Sequence, residues 1–115
     1  MEISFSEIGE AKLGVKESNL LTISDSSVSL SAATSIGVIY GLETILQLLS
    51  VDEEGYFYPE IEIKDEPRFP WRGLLIDACR HFVPIDVLKR NIDGMTSAKM
   101  NVLHWHLSED QGFRV

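Results

Sequence analysis

A chain of 115 residues with 18 acidic against 10 basic side chains has a formal net charge of −8, a surface that argues against nucleic acid or an anionic membrane as partner. No apolar run approaches the roughly 20 residues of a membrane-spanning helix, and Met1-Glu2-Ile3-Ser4 lacks the basic start and apolar stretch of a secretory leader, an observation that holds only for a natural N-terminus. Cys79 is the single cysteine, so an internal disulfide is excluded, and its apolar surroundings suit an inert packed thiol.

The charge is unevenly spread. Residues 1–66 hold 13 acidic and 3 basic side chains and residues 67–115 hold 5 acidic and 7 basic, which places a boundary near Pro67. In the first part, Leu20 to Ser24 and Val28 to Ala32 read as two short strands joined by the hairpin loop Asp25-Ser26-Ser27. Thr34 or Ser35 can cap the helix that follows, in which Leu42, Ile45, Leu46 and Leu49 recur at helical spacing and predict the face packed on the sheet. Gly37 and Gly41 form helix poorly, so their presence points to close packing or a ragged first turn. After an Asp52-Glu53-Glu54-Gly55 loop, a third strand is predicted from Tyr58 to Ile63, and Lys64 to Pro67 lead out of the domain. The acidic residues from Asp52 to Glu54 and at Glu60, Glu62, Asp65 and Glu66 suit a solvated loop and strand edge rather than a cation site. No repeat or low-complexity segment interrupts this part.

In the second part, Arg72 to Ala78 contains the apolar run Leu74-Leu75-Ile76, which suits a short strand buried on both faces, and Asn101 to Leu107 looks similar. Between them Pro84 can open a helix, because its missing N–H is one the first turn leaves unpaired, and Asp86 adds negative charge near the positive end of the dipole. Leu88, Ile92 and Met95 predict one buried stripe. Strand, helix and strand with short connections make a βαβ unit with parallel strands.

Ligands of parallel α/β folds bind beyond the carboxyl ends of the strands. Here both ends are polar: the first runs into Asp77-Ala78-Cys79-Arg80-His81, the second into His104-Trp105-His106 and Ser108-Glu109-Asp110. Surface loops are often polar without a function, but an arginine, imidazoles, an indole and adjacent carboxylates suit a polyhydroxylated ligand. Arg80 offers a fork for two adjacent hydroxyls, with simple pairing to Asp77 as the alternative, and Asp77 is a partner for Arg80 or for a loop amide. Asp110 can bind a neighbouring backbone N–H, as loop aspartates commonly do. His104 and His106, two apart on a strand, share a side, and a metal-dependent hydrolase built on them is an enzyme alternative, although two imidazoles fall short of the ligands zinc needs. Trp105 points the other way, toward the helix layer.

These residues also carry a resemblance. Pro70-Trp71-Arg72-Gly73-Leu74-Leu75-Ile76-Asp77, Arg80-His81-Phe82, Lys99-Met100-Asn101-Val102, His104-Trp105-His106-Leu107 and Asp110-Gln111-Gly112 together resemble the β-N-acetylhexosaminidases of glycoside hydrolase family 20. Tyr40 to Leu49 is similar to the helix of the α/β domain that precedes the catalytic barrel in that family, whereas the match before about Ser18 is weak. The resemblance implies an α/β fold in which residues 1–66 are a small α+β supporting domain, a short sheet with one packed helix. Residues 67–115 are then the first strand, helix and second strand of a (β/α)8 TIM barrel. Such a barrel needs roughly 200 residues or more, so the chain is expected to be a truncated piece of a larger enzyme. Its start is expected to be cut too, since the family's first domain usually has more strand than Met1 to Lys16 can supply.

Carried over residue by residue, the resemblance implies that Arg80 bonds hydroxyls of the non-reducing sugar and that Glu109 orients a histidine beside the catalytic acid. Asp77, His81, His106 and Asp110 are supporting candidates. The family's reaction is substrate-assisted: the 2-acetamido oxygen is the nucleophile, and an adjacent Asp–Glu pair orients it and shuttles the proton. That pair sits at a later strand and is distinct from Glu109-Asp110, so no catalytic residue is assigned here and the 115 residues are expected to be inactive alone. The implied partner is a carbohydrate with a terminal β-linked N-acetylhexosamine, with neither cofactor nor metal, and the compartment is left open. A non-catalytic sugar-binding or interaction module is the remaining alternative.

Overall fold

The computed structural model describes residues 1–110, 112 and 113. Gln111 of the Asp110-Gln111-Gly112 motif, and Arg114, lie outside the described residues. The chain divides into two compact units, Met1–Pro70 and Trp71–Val115.

In the first unit, β1 (Glu2–Glu7), β2 (Asn19–Ser24), β3 (Ser27–Thr34) and β6 (Ile61–Asp65) form a sheet in the order β1-β3-β2-β6. β1 runs parallel to β3, and β2 is antiparallel to both β3 and β6. The register sets Leu21 opposite Leu30 and Ile63, and Ile23 opposite Val28 and Ile61, so one face is apolar. Helix α1 (Ser35–Leu48) adds Val38 and Ile45 to that core of Leu21, Ile23 and Leu30. Each such side chain, fully buried, contributes about 1.5–3 kcal/mol. Thr34 is the N-cap: its Oγ1 accepts the Gly37 N–H at 3.3 Å and donates to the Lys16 carbonyl at 2.6 Å.

Two expectations for this unit need correction. The buried face of α1 is Gly37, Val38, Gly41 and Ile45, whereas Leu46 is 67% exposed and Leu49 is also exposed. The glycines explain it, because a Cβ on Gly37 would lie 2.9 Å from the Ser18 carbonyl and one on Gly41 would collide with Leu30. The helix presses its bare backbone on the sheet and the contact face turns toward the glycines. The third predicted strand starts later, at Ile61, because Pro59 has no N–H for a ladder, and Gly55–Phe57 (β5) pairs instead with Ser50–Asp52 (β4). Asp52 Oδ1 closes that hairpin on the N–H groups of Glu54 and Gly55, at 2.8 and 3.1 Å. Glu2–Glu7, for which no element was predicted, is also a strand, and the alternation Ile3-Ser4-Phe5-Ser6 is its signal.

In the second unit, β7 (Gly73–Asp77) and β8 (Val102–His106) pair in parallel from Gly73↔Val102 to Asp77↔His106, with α2 (Ile85–Ser97) between them in sequence. Pro84 takes the N-cap position, with ψ 145°, so the helix opens at Ile85, one place after the predicted opening. Leu88 and Met95 are buried, but Ile92 is 43% exposed: it lies on the flank of a stripe narrower than its spacing suggested. The strands are shielded on one face only. Leu74, Ile76, Leu103 and Trp105 are part-buried, while Leu75, expected to be buried, is 58% exposed beside exposed His104.

The amino ends of β7 and β8 are locked together. Arg72 N–H donates to Asn101 Oδ1 at 3.0 Å, Asn101 N–H to the Arg72 carbonyl at 2.9 Å, and Arg72 Nε to the Lys99 carbonyl at 2.7 Å. Lys99, at φ 54°, makes the left-handed turn that ends α2 and aims that carbonyl.

Candidate functional site

At the carboxyl end of β7 the chain turns on Asp77. Its Oδ1 accepts the backbone N–H groups of Cys79 and Arg80, at 3.1 and 3.0 Å, a local turn that Asp makes readily. Its Oδ2 accepts Arg80 Nε in a close ion pair. Both sequence readings of Asp77, partner of Arg80 and partner of a loop amide, are therefore present in one side chain. Cys79 is buried, its Sγ 3.4 Å from the Gly112 carbonyl.

From β8, His106 stands across the ladder from Asp77 on the same face. Its Nδ1 lies 3.5 Å from Asp77 Oδ2, and its Nε2 lies 2.8 Å from the Ser108 carbonyl and 3.8 Å from Glu109 Oε1. The short strands β9 (Ser108–Glu109) and β10 (Gly112–Phe113) pair antiparallel and set Glu109 so that Oε1 is 3.5 Å from Arg80 Nε. Asp77, Arg80, His106 and Glu109 thus converge. His81, His104 and Asp110 are exposed and stand outside this group. His104 shares the face of His106 but sits opposite Leu75.

The electrostatics follow from these contacts. The Arg80 backbone N–H on the carboxylate, then the Arg80 guanidinium and the His106 ring beside it, hold Asp77 below its ordinary value, while partial desolvation works the other way. Ligand atoms of Asp77, His106 and Glu109 lie within 4.8 Å of one another, which is close enough for a metal ion. The cation already there is Arg80, paired with both carboxylates, and a divalent ion would have to displace it. Arg80 is 72% exposed and its closest approach to each carboxylate is at Nε, which leaves guanidinium surface open toward solvent.

Residue types alone did not reveal the carbonyls of Ser108 and Gly112, because any residue supplies one; the spacing Asp77-x-x-Arg80 was the readable sign of the turn. The indole of Trp105 is part-buried on the shielded face, and among the described residues its Nε1 has no hydrogen-bond partner. A depression on the uncovered face of the first unit's sheet, lined by Ser4, Leu20, Ser31, Ala33, Glu62 and Lys64, has small and hydroxylated walls but only one carboxylate and one ammonium. The candidate chemistry lies at the strand ends.

Comparison with known proteins bears on the same segment. Residues 69–115 match the profile of "Glycosyl hydrolase family 20, catalytic domain". A beta-hexosaminidase of Porphyromonas gingivalis is 40% identical over 114 residues, covering 92% of this chain and 15% of that protein. The crystal structure of Flavobacterium johnsoniae chitobiase superposes with a TM-score of 0.93 at 46% identity, over 97% of this chain and 17% of the other. This chain belongs to glycosyl hydrolase family 20. Another family 20 structure, the Vibrio harveyi exo beta-N-acetylglucosaminidase in complex with N-acetylglucosamine, matches with a TM-score of 0.80 at 34% identity, over 97% of this chain and 17% of that one. The mixed α/β arrangement is therefore one that family 20 enzymes share, and the chain spans less than a fifth of the length of these relatives.

Proposed function

We propose that the protein containing this chain is a β-N-acetylhexosaminidase that removes terminal, non-reducing β-linked N-acetylhexosamine from glycans or chitooligosaccharides. In this reading residues 1–66 are a supporting domain, and residues 67–115 open a (β/α)8 barrel as its first strand, helix and second strand. Arg80 bonds hydroxyls of the terminal sugar, and Glu109 helps hold the groups beside the catalytic acid. Asp77 and His106 steady those two, and His81 and Asp110 lie in the adjoining loops. The substrate's own acetamido oxygen attacks the anomeric carbon, while an Asp–Glu pair from a later strand orients it and transfers the proton. The 115 residues on their own are then a substrate-positioning wall without turnover.

The observation that carries this reading is the exposed Arg80 fork braced by two carboxylates at the carboxyl end of a parallel strand pair, in a family 20 chain. It is tested in the complete enzyme with an aryl N-acetyl-β-glucosaminide. Hydrogen bonds to a charged group are worth about 1.5–3 kcal/mol, so Arg80→Ala is expected to lower kcat/KM by about 10–150-fold. Wild-type kcat/KM in Arg80→Ala would remove Arg80 from the sugar site, and turnover by the isolated 115 residues that depended on Glu109 would overturn the division of labour.

A further inference from the structure

We infer that His106 is a positioning residue whose ring is the spacer between the two carboxylates that aim Arg80. This rests on Arg80 being the sugar-binding fork proposed above, and it adds the group that keeps that fork in place. The contacts form a closed figure. Arg80 Nε approaches Asp77 Oδ2 and Glu109 Oε1, and the imidazole approaches the same two oxygens, Nδ1 at 3.5 Å from Oδ2 and Nε2 at 3.8 Å from Oε1. Each oxygen is therefore shared between guanidinium and ring, which face one another across the carboxylate pair.

The ring itself has little freedom. The Ser108 carbonyl can only accept, so at 2.8 Å Nε2 carries a hydrogen and donates it. The backbone pairing of Asp77 with His106 fixes the other side, because both residues rise from one rung of the ladder onto the same face. Ring and rung are part-buried, whereas the Arg80 side chain is 72% exposed and has rotamer entropy to lose on being ordered. Asp77 also holds two backbone N–H groups and is the fixed carboxylate; Glu109, on a two-residue strand and half-exposed, is the movable one. The imidazole is the spacer between them. Without it, Glu109 is free to swing away or to close on the guanidinium, and either movement takes the fork out of register with a sugar.

The consequence is a defect in binding rather than in bond breaking, because His106 acts through Arg80 and not on the reacting atoms. In the complete enzyme, assayed with an aryl N-acetyl-β-glucosaminide, His106→Ala is expected to raise KM by about tenfold with kcat within about twofold. His106→Asn places an amide where Nδ1 was and His106→Gln places one where Nε2 was, so each is expected to recover part of the loss. A separate readout does not depend on turnover: the Arg80 Nε–H signal of arginine-labelled protein, assigned by its disappearance in Arg80→Lys. It is expected to be protected from solvent exchange in wild type, fast-exchanging in His106→Ala and partly protected again in His106→Asn. An Arg80 Nε–H as protected in His106→Ala as in wild type overturns the inference, as does a variant series in which kcat falls while KM stays put. If His106→Ala does not fold, the Asn and Gln variants decide in its place, since each keeps one of the two approaches to a carboxylate: an Nε–H only partly protected and a KM raised part-way fit the inference, and wild-type behaviour of both measurements in both variants refutes it. Inactivity of the wild-type enzyme sinks the proposed activity alone, because the exchange measurement still reports on His106.

Discussion

Gly41 and Gly94 lie inside α1 and α2, and the same substitution by alanine should act with opposite sign at the two. Alanine gains about 1 kcal/mol of helix propensity over glycine at either position. At Gly41 the new Cβ meets Leu30, 2.9 Å from Cδ2 and 3.2 Å from Cγ, and closer still to Cδ1. Leu30 is 1% exposed in the centre of the core, so it has nowhere to retreat without opening the contact between sheet and helix. Overpacking of this kind costs about 1–3 kcal/mol, and so tight an approach belongs in the upper part of that range, leaving a net loss of about 1–2 kcal/mol. At Gly94 nothing lies within 4 Å of the new methyl, and the propensity gain stands alone. Hydrogen exchange of the α1 and α2 amides, read by mass spectrometry on the intact protein, measures each helix separately. One kcal/mol is a factor of about five in an opening equilibrium, so the α1 amides of Gly41→Ala should exchange about five- to thirtyfold faster, and the α2 amides of Gly94→Ala several-fold slower. Slower exchange of α1 in Gly41→Ala would mean that the helix stands off the sheet and that the two glycines are not what sets its face.

Three other outcomes follow from the contacts. Thr34→Ala removes the cap of α1 together with the bond to Lys16, and a loss of about 1–2 kcal/mol is expected in denaturant unfolding, with Thr34→Ser recovering most of it. Because the folded form holds Asp77 below its ordinary carboxylate value, the stability its contacts supply is present in full above that ordinary value, roughly pH 4, and is lost as pH falls through the lowered one; a carbon-detected titration of the Asp77 carboxyl that gave an ordinary or raised value would contradict the turn described here. In the complete enzyme proposed above, chelator or added zinc should leave hydrolysis of an aryl N-acetyl-β-glucosaminide unchanged, since Arg80 already pairs with the carboxylates a metal would need; activity lost to chelator and restored by zinc would favour the cluster of Asp77, His106 and Glu109 as a metal site.

The parts of this fold that could be read from residues are those in which the chain makes its own local contacts. The β2–β3 hairpin, the Thr34 cap and the parallel βαβ unit rest on alternation, capping chemistry and turn residues close in sequence. The Asp77 turn was legible for the same reason, since its acceptor and its donors are two and three residues apart. What failed depended on distant partners. Leu46 and Leu49 have the right spacing for a core face, but Leu30, far away in sequence, accepts only a glycine at the nearest approach. Leu75 sits in an apolar run, yet whether its face is covered depends on layers that a strand cannot specify. At the site, the resemblance pointed to Arg80 and Glu109 as separate contacts; that His106 approaches Asp77 and Glu109, the two carboxylates paired with Arg80, follows from the ladder register, and no motif spells a register.

That register links the two ends of the unit. The motif residues fall into two sets: Arg72, Lys99 and Asn101 tie the amino ends of β7 and β8, and Asp77, Arg80, His106 and Glu109 gather at the carboxyl ends. Between them lie only four ladder rungs of mostly apolar side chains, Gly73 with Val102, Leu74 with Leu103, Leu75 with His104 and Ile76 with Trp105. The apolar face disfavours a one-residue slip but tolerates a two-residue slide, which returns each side chain to its own face. The amino-end lock tolerates neither: Asn101 Oδ1 and the Arg72 backbone can meet at one register only. A slip by one residue would turn every side chain of one strand to the opposite face and would set His106 on the side away from Asp77. The polar lock at the far end is thus what keeps Asp77 and His106 on one rung and one face, so its residues belong to the site's geometry although they touch none of it.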